Sequence, residues 1–157
     1  MASAETHYSP PVPSFDAAPK VLIVVAPYYK DIADALVAGA KAMLEQSGAT
    51  WELVEVPGAL EIPPAIGIAM RQSDFDGYVA LGCVIRGDTR HFEHVADGCA
   101  QGLMDVATRH GLPVVNGVLA VDRAEDAEAR AGGSHGNKGE EAAMVAIEMA
   151  DLLERCA

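Results

Sequence analysis

The sequence predicts an α/β domain in which a parallel sheet is covered by helices on both faces. Three observations carry this expectation. The run Val21-Leu-Ile-Val-Val-Ala26 is apolar, rich in β-branched residues and unbroken, as a strand buried on both faces should be. After it, apolar runs of strand length alternate with stretches whose apolar residues recur at helical spacing. Gly or Pro marks each switch between the two, and such alternation joins parallel strands through right-handed crossovers.

The elements follow in order. Residues 1–19 carry Pro10, Pro11, Pro13 and Pro19 and read as an extended, proline-rich arm, with the folded domain spanning 20–157. Val21–Ala26 is the first, central strand. Ile32, Leu36, Ala40, Met43 and Leu44 form one helical face, and Gly48 stops that helix. Thr50–Val56 suits a second strand, and Pro63-Pro64 opens a short helix through Met70. Gly77–Ile85 is a third strand. Phe92, Val95, Cys99, Leu103 and Val106 trace a third helix ended by Gly111, and Val114–Val121 is a fourth strand. Asp122 with Glu125 resembles a capping box for a short helix to Ala131; a glycine-rich loop spans 132–139, and a last helix runs from about Glu140 to Leu153. No internal repeat is visible.

At 157 residues the chain fits one domain with a real core. A composition of 50% apolar and 22% charged residues is that of a globular protein. The formal net charge of −12 argues against nucleic acid or an anionic membrane as partner, so any phosphate ligand needs positive charge gathered locally. Cys83, Cys99 and Cys156 are odd in number and lack metal-ligand spacing, which fits a reducing compartment. The N-terminus has no signal-peptide pattern and no 18-residue apolar stretch occurs, so a cytoplasmic location is expected.

In a parallel α/β sheet, ligands bind beyond the C-terminal strand ends, so the residues just after each strand are the informative ones. After the first strand, Pro27-Tyr28-Tyr29-Lys30 offers rings that either stack on a heterocycle or merely cover a helix start. After the second, Pro57-Gly58-Ala59-Leu60-Glu61 allows close backbone approach, and Glu61 either accepts hydrogen bonds from hydroxyls or caps a helix. After the third comes Arg86-Gly87-Asp88-Thr89-Arg90-His91. Free amides at a helix start, a glycine and the Thr89 hydroxyl suit a phosphate, and an imidazole beside them suits proton transfer; the alternative is a plain polar turn. Arg86-Gly87-Asp88 as an adhesion tripeptide is discounted, because so short a match is cheap. His91 and His94 lack a third ligand, so no metal is expected. Finally, Arg130 and Lys138 bracket a glycine-rich loop that either closes over an anion or only connects two helices. It is no Walker A loop, and the chain has no GxGxxG fingerprint.

Three segments, VPGALEIP (56–63), GCVIRGDTRHF (82–92) and RAGGSHGNKG (130–139), together resemble the lumazine synthase family in order and spacing over almost all of residues 20–155. The resemblance implies a single-domain three-layer sandwich with a four-stranded parallel sheet in flavodoxin-like order. It implies condensation of 5-amino-6-(D-ribitylamino)uracil with 3,4-dihydroxy-2-butanone 4-phosphate in riboflavin biosynthesis, with no cofactor and no metal. Tyr28 would stack on the pyrimidine, Ala59, Leu60 and Glu61 would hold the ribityl chain, and Val84 and Ile85 would line the heterocycle. Gly87, Asp88 and Thr89 match the phosphate-binding turn, His91 the proton-transfer residue, and Arg130 and Lys138 the basic groups. The resemblance further implies a homo-oligomer with sites between adjacent subunits: a pentamer, in some members twelve pentamers in a hollow shell, with riboflavin synthase as an associated partner. Arg130 and position 116 would enter the neighbour's pocket. Two departures stand out, for Asn116 replaces a frequent phenylalanine and Ser134 a common lysine.

Three other readings stay open on the sequence. They are a lumazine or flavin carrier without turnover, a flavodoxin-like or receiver-like signalling domain, and a structural shell protein. The Pro-Tyr-Tyr-Lys turn fits the signalling domain poorly, since it is neither a hydroxyl-rich phosphate loop nor an acidic cluster.

Overall fold

The computed structural model describes residues 7–157; residues 1–6 of the expected arm lie outside the described residues. The elements are β1 (Lys20–Val25), α1 (Lys30–Gln46), β2 (Thr50–Glu55), a 3-10 turn (Ala59–Glu61), α2 (Ile62–Gln72), β3 (Gly77–Ile85), α3 (His91–His110), β4 (Val114–Val121), α4 (Ala124–Arg130), β5 (Ala131–Gly133), β6 (Gly136–Asn137) and α5 (Lys138–Arg155). Residues 7–19 contain neither helix nor strand, and Phe15 from this segment packs against the core.

The main sheet is four parallel strands in the order β2-β1-β3-β4, which is the flavodoxin-like order expected. Its strands read as continuous apolar runs because helices cover both faces. Along β1, Val21, Ile23 and Val25 point into one core cluster with Leu36, Leu44, Ala143 and Ile147, from α1 and α5. Leu22, Val24 and Ala26 point into the other with Ile62, Ile66, Cys99 and Leu103, from α2 and α3. This is the period-two alternation of a strand used twice. Burial of each such aliphatic side chain contributes about 1.5–3 kcal/mol, so the two clusters dominate stability.

The seam between α1 and α5 is close. Gly139 lies so near α1 that a Cβ there would stand 1.9 Å from the Leu36 carbonyl oxygen. Asn137 ties the same place together: its Oδ1 accepts from the amides of Gly139 (2.8 Å) and Glu140 (3.1 Å), and its Nδ2 donates to the Ala35 carbonyl (3.0 Å).

Two expectations are corrected here. Asp122 and Glu125 do not form a capping box. The N-cap of α4 is Arg123, without a side-chain capping bond, and Asp122 instead accepts from Arg86 Nε at 2.8 Å. A charge-assisted bond to a guanidinium outcompetes a cap to a neutral amide. Residues 132–139 are not an open connector either. They hold the antiparallel pair β5–β6, and α5 begins at Lys138, two residues before the expected Glu140. Gly132 (φ 100°) and Gly136 (φ 75°) adopt the left-handed backbone that this tight reversal needs, and Asn137 supplies the true helix start.

Candidate active site

The strand order reverses between β1, which leads to β2 on one side, and β3, which leads to β4 on the other. A cleft at the C-terminal ends of such strands is the expected ligand position. A cleft of about 510 Å³ opens there. Three chain segments converge on it. The turn after β1 brings Tyr28 and Tyr29, the 3-10 turn after β2 brings Ala59, Leu60 and Glu61, and the end of β3 brings Val84 and Ile85, followed by Gly87, Thr89 and His91. Every sequence-predicted residue of the first three turns except Asp88 therefore lines one cleft.

Each side chain is placed by its local structure. The Tyr28 and Tyr29 rings pack edge to face, with centroids 5.0 Å apart and planes 77° apart. Tyr29 packs inward on the core, and its desolvation raises the phenol pKa above the ordinary value. Tyr28 is left 77% exposed at the rim, free to meet a second ring. Glu61 occupies the N-cap position of α2, yet its side chain makes no capping bond, which leaves the carboxylate without the helix-capping role considered from sequence. One of its oxygens approaches Gly58 so closely that a Cβ at Gly58 would sit 2.9 Å from it, so the glycine is what admits this carboxylate.

His91 is the first residue of α3, and its amide lies 3.3 Å from Thr89 Oγ1. The first amides of a helix have no acceptor within the helix and carry the positive end of its dipole, so the turn before α3 offers donors to an anion. Cys83, at the floor of the cleft, is driven by burial to a pKa of about 11 and is a neutral thiol at physiological pH. Sequence reasoning offered both tyrosine rings but missed Cys83, Phe92 and Val95 as lining residues. For Cys83, β3 alternation with its inward-facing neighbours was the available signal.

The remaining predicted residues lie elsewhere. Asn116, Arg130 and Lys138 line a separate cleft of about 370 Å³ along β4, the edge strand of the sheet, with Gly117, Glu141 and Val145. Asn116 Oδ1 accepts from the Val118 amide at 2.9 Å, which occupies a free donor of that edge. Arg130 Nη1 donates to the Asp126 carbonyl at 3.0 Å, and none of the ion pairs among the described residues includes Arg130. Lys138 pairs with Glu141 at 2.7 Å on the surface, a contact weak enough to exchange for another anion. The chain thus places the turn before α3 and its imidazole in one cleft, and Arg130 and Lys138 in another. Among the described residues, no group of three or more His, Cys, Asp or Glu gathers as a metal site, and no helix is long and apolar enough to cross a membrane.

Comparison with known proteins agrees with this geometry. Residues 18–154 match the family model described as 6,7-dimethyl-8-ribityllumazine synthase. The chain is 51% identical over 156 residues to the protein of that name from Xanthomonas oryzae pv. oryzae (strain PXO99A), covering 95% of this chain and 97% of the relative. The protein so named from Xanthomonas campestris pv. campestris (strain B100) is 51% identical over 152 residues, with 95% and 97% covered. That from Stenotrophomonas maltophilia (strain R551-3) is 50% identical over 153 residues, with 96% and 98% covered. Matched over nearly its whole length, and with three site segments converging at one crossover, the chain belongs to the 6,7-dimethyl-8-ribityllumazine synthase family.

Proposed function

We propose that this protein is the transferase that condenses 5-amino-6-(D-ribitylamino)uracil with 3,4-dihydroxy-2-butanone 4-phosphate, giving 6,7-dimethyl-8-ribityllumazine, phosphate and water in riboflavin biosynthesis. The observation that carries this reading is the single cleft in which an exposed ring, an uncapped carboxylate, a helix-start anion turn and an imidazole face one another.

In this reading, Tyr28 stacks on the pyrimidine and Val84 and Ile85 form the wall beside it. Ala59, Leu60 and Glu61 take the ribityl chain, with Glu61 accepting from its hydroxyls. Gly87, Asp88 and Thr89 form the turn that holds the phosphate, and His91 moves protons. The amine attacks the ketone carbonyl and water leaves to give an imine. Elimination of phosphate leaves an enol that tautomerises to a ketone, and the ribitylamino nitrogen closes onto that carbonyl with loss of a second water. Each step exchanges a proton at nitrogen or carbon, work that an imidazole within reach can do as general acid or base. Holding two substrates in register supplies much of the acceleration, on the order of 7–11 kcal/mol at best. The pocket's own groups supply this chemistry, and the reading assigns no step to a cofactor.

The same reading makes the protein a homo-oligomer in which Arg130 and Lys138 of one chain complete the phosphate site of its neighbour, with Asn116 over the pyrimidine. Arg130 is in none of the ion pairs among the described residues, which leaves its guanidinium available for a phosphate, a group that guanidinium can meet bidentately. A pentamer is the assembly proposed, with the 60-subunit shell and association with riboflavin synthase as its extensions. The extended arm of residues 7–19 suits pairing with a neighbour's sheet edge.

The test is an absorbance assay in which purified protein is mixed with both substrates and growth of the lumazine chromophore is compared with the uncatalysed rate. Acceleration is the expected result. Tight lumazine binding by folded protein without acceleration would overturn the enzyme reading in favour of a carrier.

A further inference from the structure

The turn between β3 and α3 is closed by one side chain that the sequence reading left unassigned. The Arg86 amide donates to the Val121 carbonyl at 2.9 Å, which adds a last rung between the ends of β3 and β4. Its guanidinium then makes three further contacts. Nε donates to Asp122 Oδ1 at 2.8 Å, Nη1 pairs with Glu93 Oε1, and the guanidinium carbon lies 4.5 Å from the centre of the Phe92 ring. Asp122 follows β4, whereas Phe92 and Glu93 are the second and third residues of α3. One planar group therefore fastens the start of the helix to the end of the sheet, and the segment from Gly87 to His91 is the loop between its two anchors.

Two properties make this a device for the site and not a chance surface pair. An exposed pair of point charges contributes little, but a fork that meets two carboxylates and lies on a ring has only one good geometry. The Arg86 charge is also spent on Asp122 and Glu93, which hold its pKa above the ordinary value, and Arg86 holds the Glu93 carboxyl below its own. Arg86 is thereby kept from the phosphate that its neighbours Gly87 and Thr89 are shaped to receive.

We infer that Arg86 is a positioning residue for this reaction: clamped between Asp122 and Glu93 and stacked on Phe92, it fixes the anion turn and aims His91 without touching substrate. The inference rests on the proposed lumazine synthase activity, so its test includes a measurement that does not need turnover. The wild-type protein, Arg86→Met, Arg86→Lys, Glu93→Gln and the double variant Arg86→Met/Glu93→Gln are compared. Hydrogen exchange is followed at the amides of residues 87–93, and kcat and both KM values are measured in the lumazine assay.

For Arg86→Met, those amides exchange at least about tenfold faster while the β1 and β3 amides keep their protection, as expected for local loosening. kcat falls about tenfold and KM for the phosphorylated ketone rises, but KM for the pyrimidine stays within about twofold, because Tyr28 and Glu61 lie on other turns. Arg86→Lys keeps the charge without the fork and recovers only part of kcat. The double variant is no worse than Arg86→Met alone, since the second change removes a partner already lost. Unaltered exchange in Arg86→Met, an equal rise of both KM values, full rescue by lysine, or additive losses in the double variant would each overturn the clamp. If the wild-type protein shows no turnover but the exchange result holds, the clamp stands and the proposed reaction falls.

Discussion

Equal amounts of His91→Ala and Arg130→Ala chains, unfolded together and refolded as mixed oligomers, should regain activity that neither variant has alone. The expectation comes from the placement of the two residues. His91 lines the cleft of about 510 Å³ at the crossover of β1 and β3, whereas Arg130 lines the separate cleft of about 370 Å³ along the edge strand β4. If the phosphate site is completed by a neighbour, each site needs an intact His91 from one chain and an intact Arg130 from the next. Random incorporation supplies both in about one quarter of the sites, whatever the size of a closed cyclic ring. The background is low. Loss of a proton-transferring imidazole costs roughly 10²-fold in turnover. Loss of a charged hydrogen-bonding partner costs about 1.5–3 kcal/mol, or roughly ten- to a hundredfold in kcat/KM for the phosphorylated substrate. A mixture at about 25% of wild-type lumazine formation therefore stands clear of the sum of its parts. Wild-type chains mixed with the double variant sharpen the result: about one quarter of sites are intact if Arg130 acts across subunits, against about one half if it acts within its own chain. Mixed oligomers confirmed by native mass spectrometry, with no recovery, would refute the division of the site.

Four further outcomes follow from particular contacts. Asn116→Phe adds a second ring face and should lower KM for the pyrimidine by roughly two- to tenfold, the range of an aromatic pair worth about 0.5–1.5 kcal/mol; an unchanged KM in the absorbance assay would remove position 116 from the site. Gly139→Ala drives a methyl group to 1.9 Å from the Leu36 carbonyl oxygen and should destabilise the fold by about 3 kcal/mol, read as the urea midpoint, with no loss expected if α1 and α5 were loosely packed. Asn137→Ala removes a helix cap and the donor to the Ala35 carbonyl, for about 1–2 kcal/mol by the same measurement. Stability should also fall with rising alkalinity. Burial raises the thiols of Cys83 and Cys99 from 9.0 to about 11, so between those values the unfolded chain loses protons that the folded chain keeps. The cysteine share of the loss starts near pH 9, levels off above about 11 and is missing from the profile of the Cys83→Ala/Cys99→Ala variant, which keeps the share of the raised Tyr29 and Tyr78 phenols; a profile unchanged by that substitution would assign the whole loss to other groups.

How far these features could be read from the chain alone depended on whether their partners were local. β1 and β3 were legible because both faces are buried, which leaves an uninterrupted apolar run and no polar alternation to blur it. α3 was legible from the spacing of Cys99 and Leu103, although only those two are fully buried on it. The pair β5–β6 was not, because strands of three and two residues made largely of glycine have no hydrophobic period to detect. Asn137 looked like one more polar loop residue, since the carbonyl it holds is 102 positions away. Asp122 was misassigned for a related reason: a capping box is a local pattern, and its real partner, Arg86, is 36 residues upstream. The turns that line the main cleft could be named because parallel α/β topology places every strand end on one edge. The split between the two clefts could not be read from spacing, because sequence order is silent on which side of the edge strand a loop returns; only the family resemblance set Arg130 and position 116 apart.

That split has an electrostatic reason. The turn before α3 brings little positive charge to the cleft: Asp88 is acidic, Arg86 is held by two carboxylates, and Arg90, the cation within the turn, is not among the residues that line the cleft. In a chain with a formal net charge of −12, helix-start amides and a threonine hydroxyl can orient a phosphate but do little to neutralise it. What the cleft lacks is a lysine or arginine among its lining residues, and Arg130, which is in none of the ion pairs among the described residues, lies in a cleft of the same molecule that the turn does not reach. On the proposed reading, a second copy of the chain brings the two together. On this argument assembly is not an addition to the enzyme but the step that supplies the charge on which its phosphate leaves. A variant that keeps Arg130 yet cannot assemble should therefore resemble Arg130→Ala in its handling of the phosphorylated substrate, while still binding the pyrimidine at Tyr28 and Glu61.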